Sequence, residues 1–183
     1  MRASVHREPS GAVDIARHYI RDLIYGANDG IITTFAVVAG VAGGGLSLSA
    51  VLIIGAANLL ADGLSMGVGS YLAIRAHESV LESQALPVQE AQPFRHGAAT
   101  FVAFVAAGFV PLIPYTIPPL PLSRFACSIL LTMLALFTVG ALRSMISNAR
   151  WWRAGLEMFG LGAIVAAVAF ASGSIVAYLV QPR

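Results

Sequence analysis

Charge is what this sequence most lacks. Only 11% of its 183 residues are Asp, Glu, Lys or Arg, against roughly 25% in a soluble globular domain. Lysine is absent and all eleven basic residues are arginine; that is a bias of composition and points to no chemistry. The single cysteine, Cys127, excludes an internal disulfide and, set in an apolar run, reads as small core filler. The first twenty residues, MRASVHREPSGAVDIARHYI, lack a continuous apolar stretch and a small-residue cleavage site, so no secretory signal is expected. The segments between apolar runs hold no paired nucleophile and base, no phosphate-binding loop and no cofactor motif, which argues against an enzyme. The arginines fall where membrane topology alone would put them, so no nucleic-acid partner is indicated.

What is present is apolar length. Hydrophobic residues make up 57% of the chain. A membrane-spanning helix needs about 20 mostly apolar residues, and the windows 23–45, 48–74, 97–115, 125–146 and 155–180 meet or approach that length. They predict an all-α integral membrane protein with five transmembrane helices, a cytosolic amino-terminal segment over 1–19 and one transmembrane domain over 20–183. Positive charge is retained on the cytosolic side. Arg2, Arg7, Arg17, Arg21, Arg75, Arg95, Arg143, Arg150 and Arg153 share one side, whereas the other has only Arg124 and Arg183. This orientation places the amino terminus in the cytosol and the carboxyl terminus on the opposite side.

The connections differ in kind. VPLIPYTIPPLPLSR holds five of the nine prolines and predicts an extended outer connection, because closely spaced prolines cannot continue a helix. The short cytosolic loop at 75–95 carries His77, Glu78, Glu82 and Glu90; Glu78 and Glu82 share a helix face, so the second helix is expected to project into the cytosol. Glycines four apart at Gly26 and Gly30, Gly40 and Gly44, and Gly63 and Gly67 predict close packing of the first two helices.

Polar residues inside the first two windows carry the chemistry. A carboxylate at the bilayer centre costs roughly 2.5 to 3.5 kcal/mol, yet Asp29 sits in the first window and Asp62 in the second. Asn58, Asp62, Ser65, Met66 and Ser70 recur at steps of three and four and share one helix face. In an antiparallel hairpin Asp29 can lie level with Met66, and Glu157 of the fifth window falls in the same layer. Carboxylate oxygen suits hard or borderline divalent cations, while a thioether is a soft donor that Mg²⁺ and Ca²⁺ do not favour. Together they point to a transition metal, whose arrival can displace protons. The bland alternatives are a helix-joining role for Asp29 or Asp62, core filling for Met66, an ion pair with Arg153 for Glu157, and a solvated face for Glu78 and Glu82. His18, His77 and His96 show no ligand spacing and read as interfacial residues.

RDLIYGANDGIITTFAVVAGVAGG (21–44), GAANLLADGLSMGVGSYLAIRAHE (55–78) and WWRAGLEMFGLGAIVAA (151–167) resemble the vacuolar iron transporter family. The resemblance implies a five-helix subunit that forms a homodimer and exports Fe²⁺, or Mn²⁺, from the cytosol in exchange for protons along the dimer interface. Metal is then cargo, and no cofactor is implied. The aspartate of the NDG motif and the methionine of the SM motif, pathway ligands in that family, fall on Asp29 and Met66. Two features depart from the family. A long Glu- and Met-rich cytosolic insertion between the second and third helices is replaced by the short loop at 75–95, with Glu78 and Glu82 a remnant of its first helix. Ser70 stands before Tyr71, where relatives often have Glu. The missing lysine and short loops suggest a bacterial cytoplasmic membrane; in a eukaryote the resemblance implies a vacuolar-type one. A membrane scaffold without transport, and a channel or transporter for another small solute, are the alternatives.

Overall fold

The computed structural model describes residues 10–118, 121–144 and 150–180. Arg2, Arg7 and Arg183, counted above for orientation, lie outside them, as do Pro119 and residues 145 and 146 at the end of the fourth window. The described residues are helical: α1 (Ala12–Gly43), α2 (Leu48–Ser83), α3 (Pro93–Gly108), a 3₁₀ turn (Val110–Leu112), α4 (Ile113–Thr116), α5 (Arg124–Arg143) and α6 (Trp151–Val180). Five segments are long and apolar enough to cross a membrane, with α3, the turn and α4 forming one span over Pro93–Thr116. This is a multi-pass membrane protein.

The helices outrun the apolar windows. α1 starts within the segment assigned to 1–19, and α2 continues past residue 74 to Ser83. Hydropathy marks only the lipid-embedded part, and a helix continues wherever its backbone bonds persist. The α1–α2 turn needs Gly45, whose φ of 67° is left-handed and favours glycine. Ser47 then caps α2 by accepting from the Ala50 N–H at 3.3 Å, and Ser123 caps α5 by accepting from the Ala126 N–H at 3.2 Å; each satisfies a donor the helix start leaves open.

The proline-rich segment is not the extended connection expected over its whole length. Pro111 and Pro114 occupy the first turns of the 3₁₀ turn and of α4, where a missing N–H breaks no helical bond. Both are buried, and the Ser128 hydroxyl donates to the Pro111 carbonyl at 2.7 Å.

α1 is the central helix, packed against α2, α3, α5 and α6, while α2 packs mainly on α3. The glycine pairs therefore serve other interfaces than the α1–α2 contact predicted from them. A Cβ on Gly30 would run into the Phe104 backbone, one on Gly67 into the Gly97 carbonyl, and one on Gly173 of α6 into the Gly40 carbonyl. The pairs thus seat α1 and α2 on α3, and α1 on α6. Phe35, Val38, Leu59, Phe104 and Leu112 fill the space between. Outward residues such as Ile53, Leu134, Ile164 and Val168 are more than 60% exposed; an apolar belt of this kind is stable only against lipid.

Candidate functional site

The site is best followed along α1 and α2 from the membrane interior toward the end where α1 starts. Asp29 of α1 is half-buried, and its neighbour Asn28 carries a buried Oδ1 with no hydrogen-bond partner among the described residues. Asp62 of α2 is near enough to Asp29 for the carboxylates to repel. Asn58, one turn away, is half-buried, while Asp62 and Ser65 are exposed on the surface of the single subunit. Met66 is half-buried and packs on the core cluster containing Leu59 and Phe104.

Met66 and Ser70 line a cleft of about 570 Å³ with Arg21, Asp22 and Tyr25 of α1. Asp29 stands one turn, about 6 Å along the axis, beyond Tyr25. Asp29 does not line the Met66 cleft, so the two are offset along α1 instead of standing at one level.

Glu157 takes a different partner from either one predicted. It is exposed on α6 and accepts from the Arg143 guanidinium of α5 at 2.6 Å, rather than pairing with Arg153. Glu78 organises the α2–α3 connection: its Oε1 accepts the backbone N–H groups of Gln89 and Glu90 at 2.9 and 2.7 Å. Glu82, one turn on, is exposed.

Nearer the start of α1 lies a second polar group that sequence spacing had set aside. His96 opens α3 and is buried. Its Nδ1 lies 2.6 Å from the Asp22 carboxylate, and its Nε2 lies 3.0 Å from Glu90 Oε2. The same Glu90 oxygen is 3.3 Å from His18 Nε2. His18 and Asp22 stand four apart on α1 and so share a face, and Glu90 is further held by accepting the Gln92 N–H at 2.8 Å. Glu90 and His96 line a second cleft of about 490 Å³ with His77 and Glu78. Arg21 and Ala73 line both clefts, so the two adjoin.

The sequence pattern of the VIT family matches residues 20–86 and 79–174, which reach into all five spans. The chain belongs to the VIT family. Among VIT-family relatives, "Vacuolar iron transporter 1" of Arabidopsis thaliana is 27% identical across 88% of this chain and 87% of that protein. "Vacuolar iron transporter 1" of Eucalyptus grandis is 26% identical across 85% of each. "Vacuolar iron transporter" of Toxoplasma gondii reaches 46% identity over a shorter stretch, 36% of this chain and 22% of that protein. The two family matches meet at residues 79–86, at the end of α2 and the start of the short loop.

His18, Asp22, Glu90 and His96 are the residues that spacing missed. Asp22 and His96 are 74 positions apart, and one local signal, the four-residue step from His18 to Asp22, was available.

Proposed function

We propose that this VIT-family chain is a transporter that moves a divalent transition metal, Fe²⁺ first and Mn²⁺ second, out of the cytosol in exchange for protons. One observation carries the reading: Asp29, half-buried, and Asp62 lie within membrane-spanning helices, with the Met66 thioether one turn from Asp62 on α2. Two carboxylates in so poorly solvated a place need a cation or a proton between them. Oxygen with sulfur favours a transition metal over Mg²⁺ or Ca²⁺. Protons and metal then compete for the same oxygens, which couples their movement. The relatives' names support iron as cargo.

Asp29, Met66 and Asp62 are the proposed pathway ligands, with Asn58 adjoining them. Glu157 is held by Arg143 at the rim, and Glu78 and Glu82 stand on the cytosolic projection of α2. The positive-charge count supports a cytosolic start of α1, so that the clefts open to the cytosol. Asp62 and Ser65 lie exposed within apolar α2, an arrangement costly against lipid. A second copy of the chain covering this face, with the path along the interface, removes that cost. The membrane is a bacterial cytoplasmic one, or vacuolar in a eukaryote.

The test is flux. Purified protein in sealed vesicles with an acidic lumen is expected to admit Fe²⁺ and Mn²⁺, to alkalinise the lumen in step with metal entry, and to discriminate against Ca²⁺. Absence of metal entry at any gradient would leave a scaffold reading; entry of small organic solutes without competition from metal would leave a solute pathway.

A further inference from the structure

Among the described residues, the one group of three metal-ligating side chains whose donor atoms converge is not at Asp29 but at the start of α1. The donor atoms of His18, Glu90 and His96 lie within 4.8 Å of one another. We propose that these three residues form a transition-metal binding site at the entrance to the cleft that leads to Met66.

Three observations carry the assignment. First, Glu90 Oε2 lies 3.0 Å from His96 Nε2 and 3.3 Å from His18 Nε2. Donors arranged around an ion at about 2.1 Å stand roughly 3.4 Å apart, so both Glu90 pairs are already near that spacing, and the His18–His96 pair, within 4.8 Å, closes by rotation of His18. The His18 side chain, 26% exposed, has room for that rotation. Second, the His96 ring has a carboxylate at each nitrogen, Asp22 at Nδ1 and Glu90 at Nε2. A neutral imidazole has one N–H to give. If Asp22 takes it, the Nε2 lone pair faces a carboxylate oxygen, and either a second proton or a metal cation between them resolves the conflict. A carboxylate fixing the far nitrogen of a ligand histidine is the usual support of a metal site, and both Asp22 and His96 are buried enough to hold that orientation. Third, Asp22 also lines the cleft of Met66, while Glu90 and His96 line the adjoining one. The Asp22–His96 pair is thus part of the wall between the two.

Two imidazoles and one carboxylate suit Fe²⁺, Mn²⁺, Co²⁺ or Zn²⁺ and leave positions open for water or for the next ligand. Arg21 lines both clefts, and its charge opposes a tightly held cation, which fits a site of passage better than a structural one. As a metal site the cluster stands alone; as the first station of a transport path it rests on the transporter reading.

Co²⁺ titration of the full chain in detergent, followed by visible absorption, tests the site. The wild type is expected to bind Co²⁺ with a spectrum showing nitrogen ligation and to bind it undiminished in excess Ca²⁺. His18→Gln and Glu90→Gln, both on partly exposed side chains, are each expected to weaken binding at least about tenfold. Asp22→Asn, which changes a positioning residue and no ligand, is expected to weaken it roughly 10- to 100-fold while leaving the spectrum's shape. Should His96→Ala fail to fold, these variants still decide the matter. Co²⁺ affinity unchanged in both His18→Gln and Glu90→Gln, or a spectrum without nitrogen ligands, overturns the proposal. Measuring Fe²⁺ flux after reconstituting the same proteins into sealed vesicles separates the two ideas: flux with an unaltered Co²⁺ site in the variants sinks the cluster alone, whereas nitrogen-ligated Co²⁺ without flux leaves the cluster standing and sinks the transporter.

Discussion

A half-buried carboxylate within a membrane-spanning helix, Asp29, is the residue-scale fact around which the rest is arranged. Asp29 and Asp62 stand out in the sequence because a carboxylate in a long apolar run is costly, and Met66 stands out only through the face it shares with Asp62. The His18, Glu90 and His96 group was not legible, because its members come from α1, a loop and α3, and only tertiary packing brings them together. Met66 has two jobs to separate, since it packs on the core and also faces the cleft. Met66→Leu keeps most of the volume and removes the sulfur. Its thermal stability is expected to stay within about 1.5 kcal/mol of wild type, while the ratio of Fe²⁺ to Mn²⁺ flux falls, because the softer ion loses more with the thioether. Glu157 makes a sharper contrast. Its partner Arg143 is reached across the α5–α6 contact, a pairing invisible to a search along one helix. The Glu157 side chain is 56% exposed, and exposed pairs contribute about 0–1 kcal/mol; Glu157→Gln is expected to lower thermal stability in detergent by no more than that.

At the scale of elements, all five spans were readable from apolar length, and their ends were not. Hydropathy cannot see α1 and α2 continuing beyond the lipid, nor that Pro111 and Pro114 start short helical pieces that complete the third span. Glycine spacing correctly announced close packing but could not name the partner, since a stripe of small residues looks the same whichever helix seats on it. The partner is α3. Gly67 and Gly97 meet backbone to backbone, and a Cβ on either would come within 2.8 Å of the other's carbonyl oxygen. Gly67→Val is therefore expected to destabilise the fold by about 1–3 kcal/mol, read as a lowered melting temperature in detergent. Gly69, with open space around its Cβ position, supplies the control: Gly69→Ala is expected to leave that temperature nearly unchanged.

For the molecule as a whole, the family, the all-helical class and the number of spans were legible, because each repeats over long segments or dense motifs. What a single subunit's sequence could not fix is what covers the α2 face bearing Asp62 and Ser65. If a second copy covers it, Ser65→Cys in a Cys127→Ala background is expected to form a disulfide-linked or bismaleimide-linked dimer in native membranes, seen as a doubled mass on a denaturing gel. A subunit that remains singly sized under the same oxidant places that face against lipid or another protein.

The central claim is that an ionised oxygen within the bilayer carries the metal across, and Asp29→Asn tests it with the least disturbance of shape. Fe²⁺ entry into vesicles should be measured for wild type and variant at one pH gradient and equal protein density. The account predicts entry at least about tenfold slower in the variant, with unchanged helicity by circular dichroism. Equal rates in the two would contradict it.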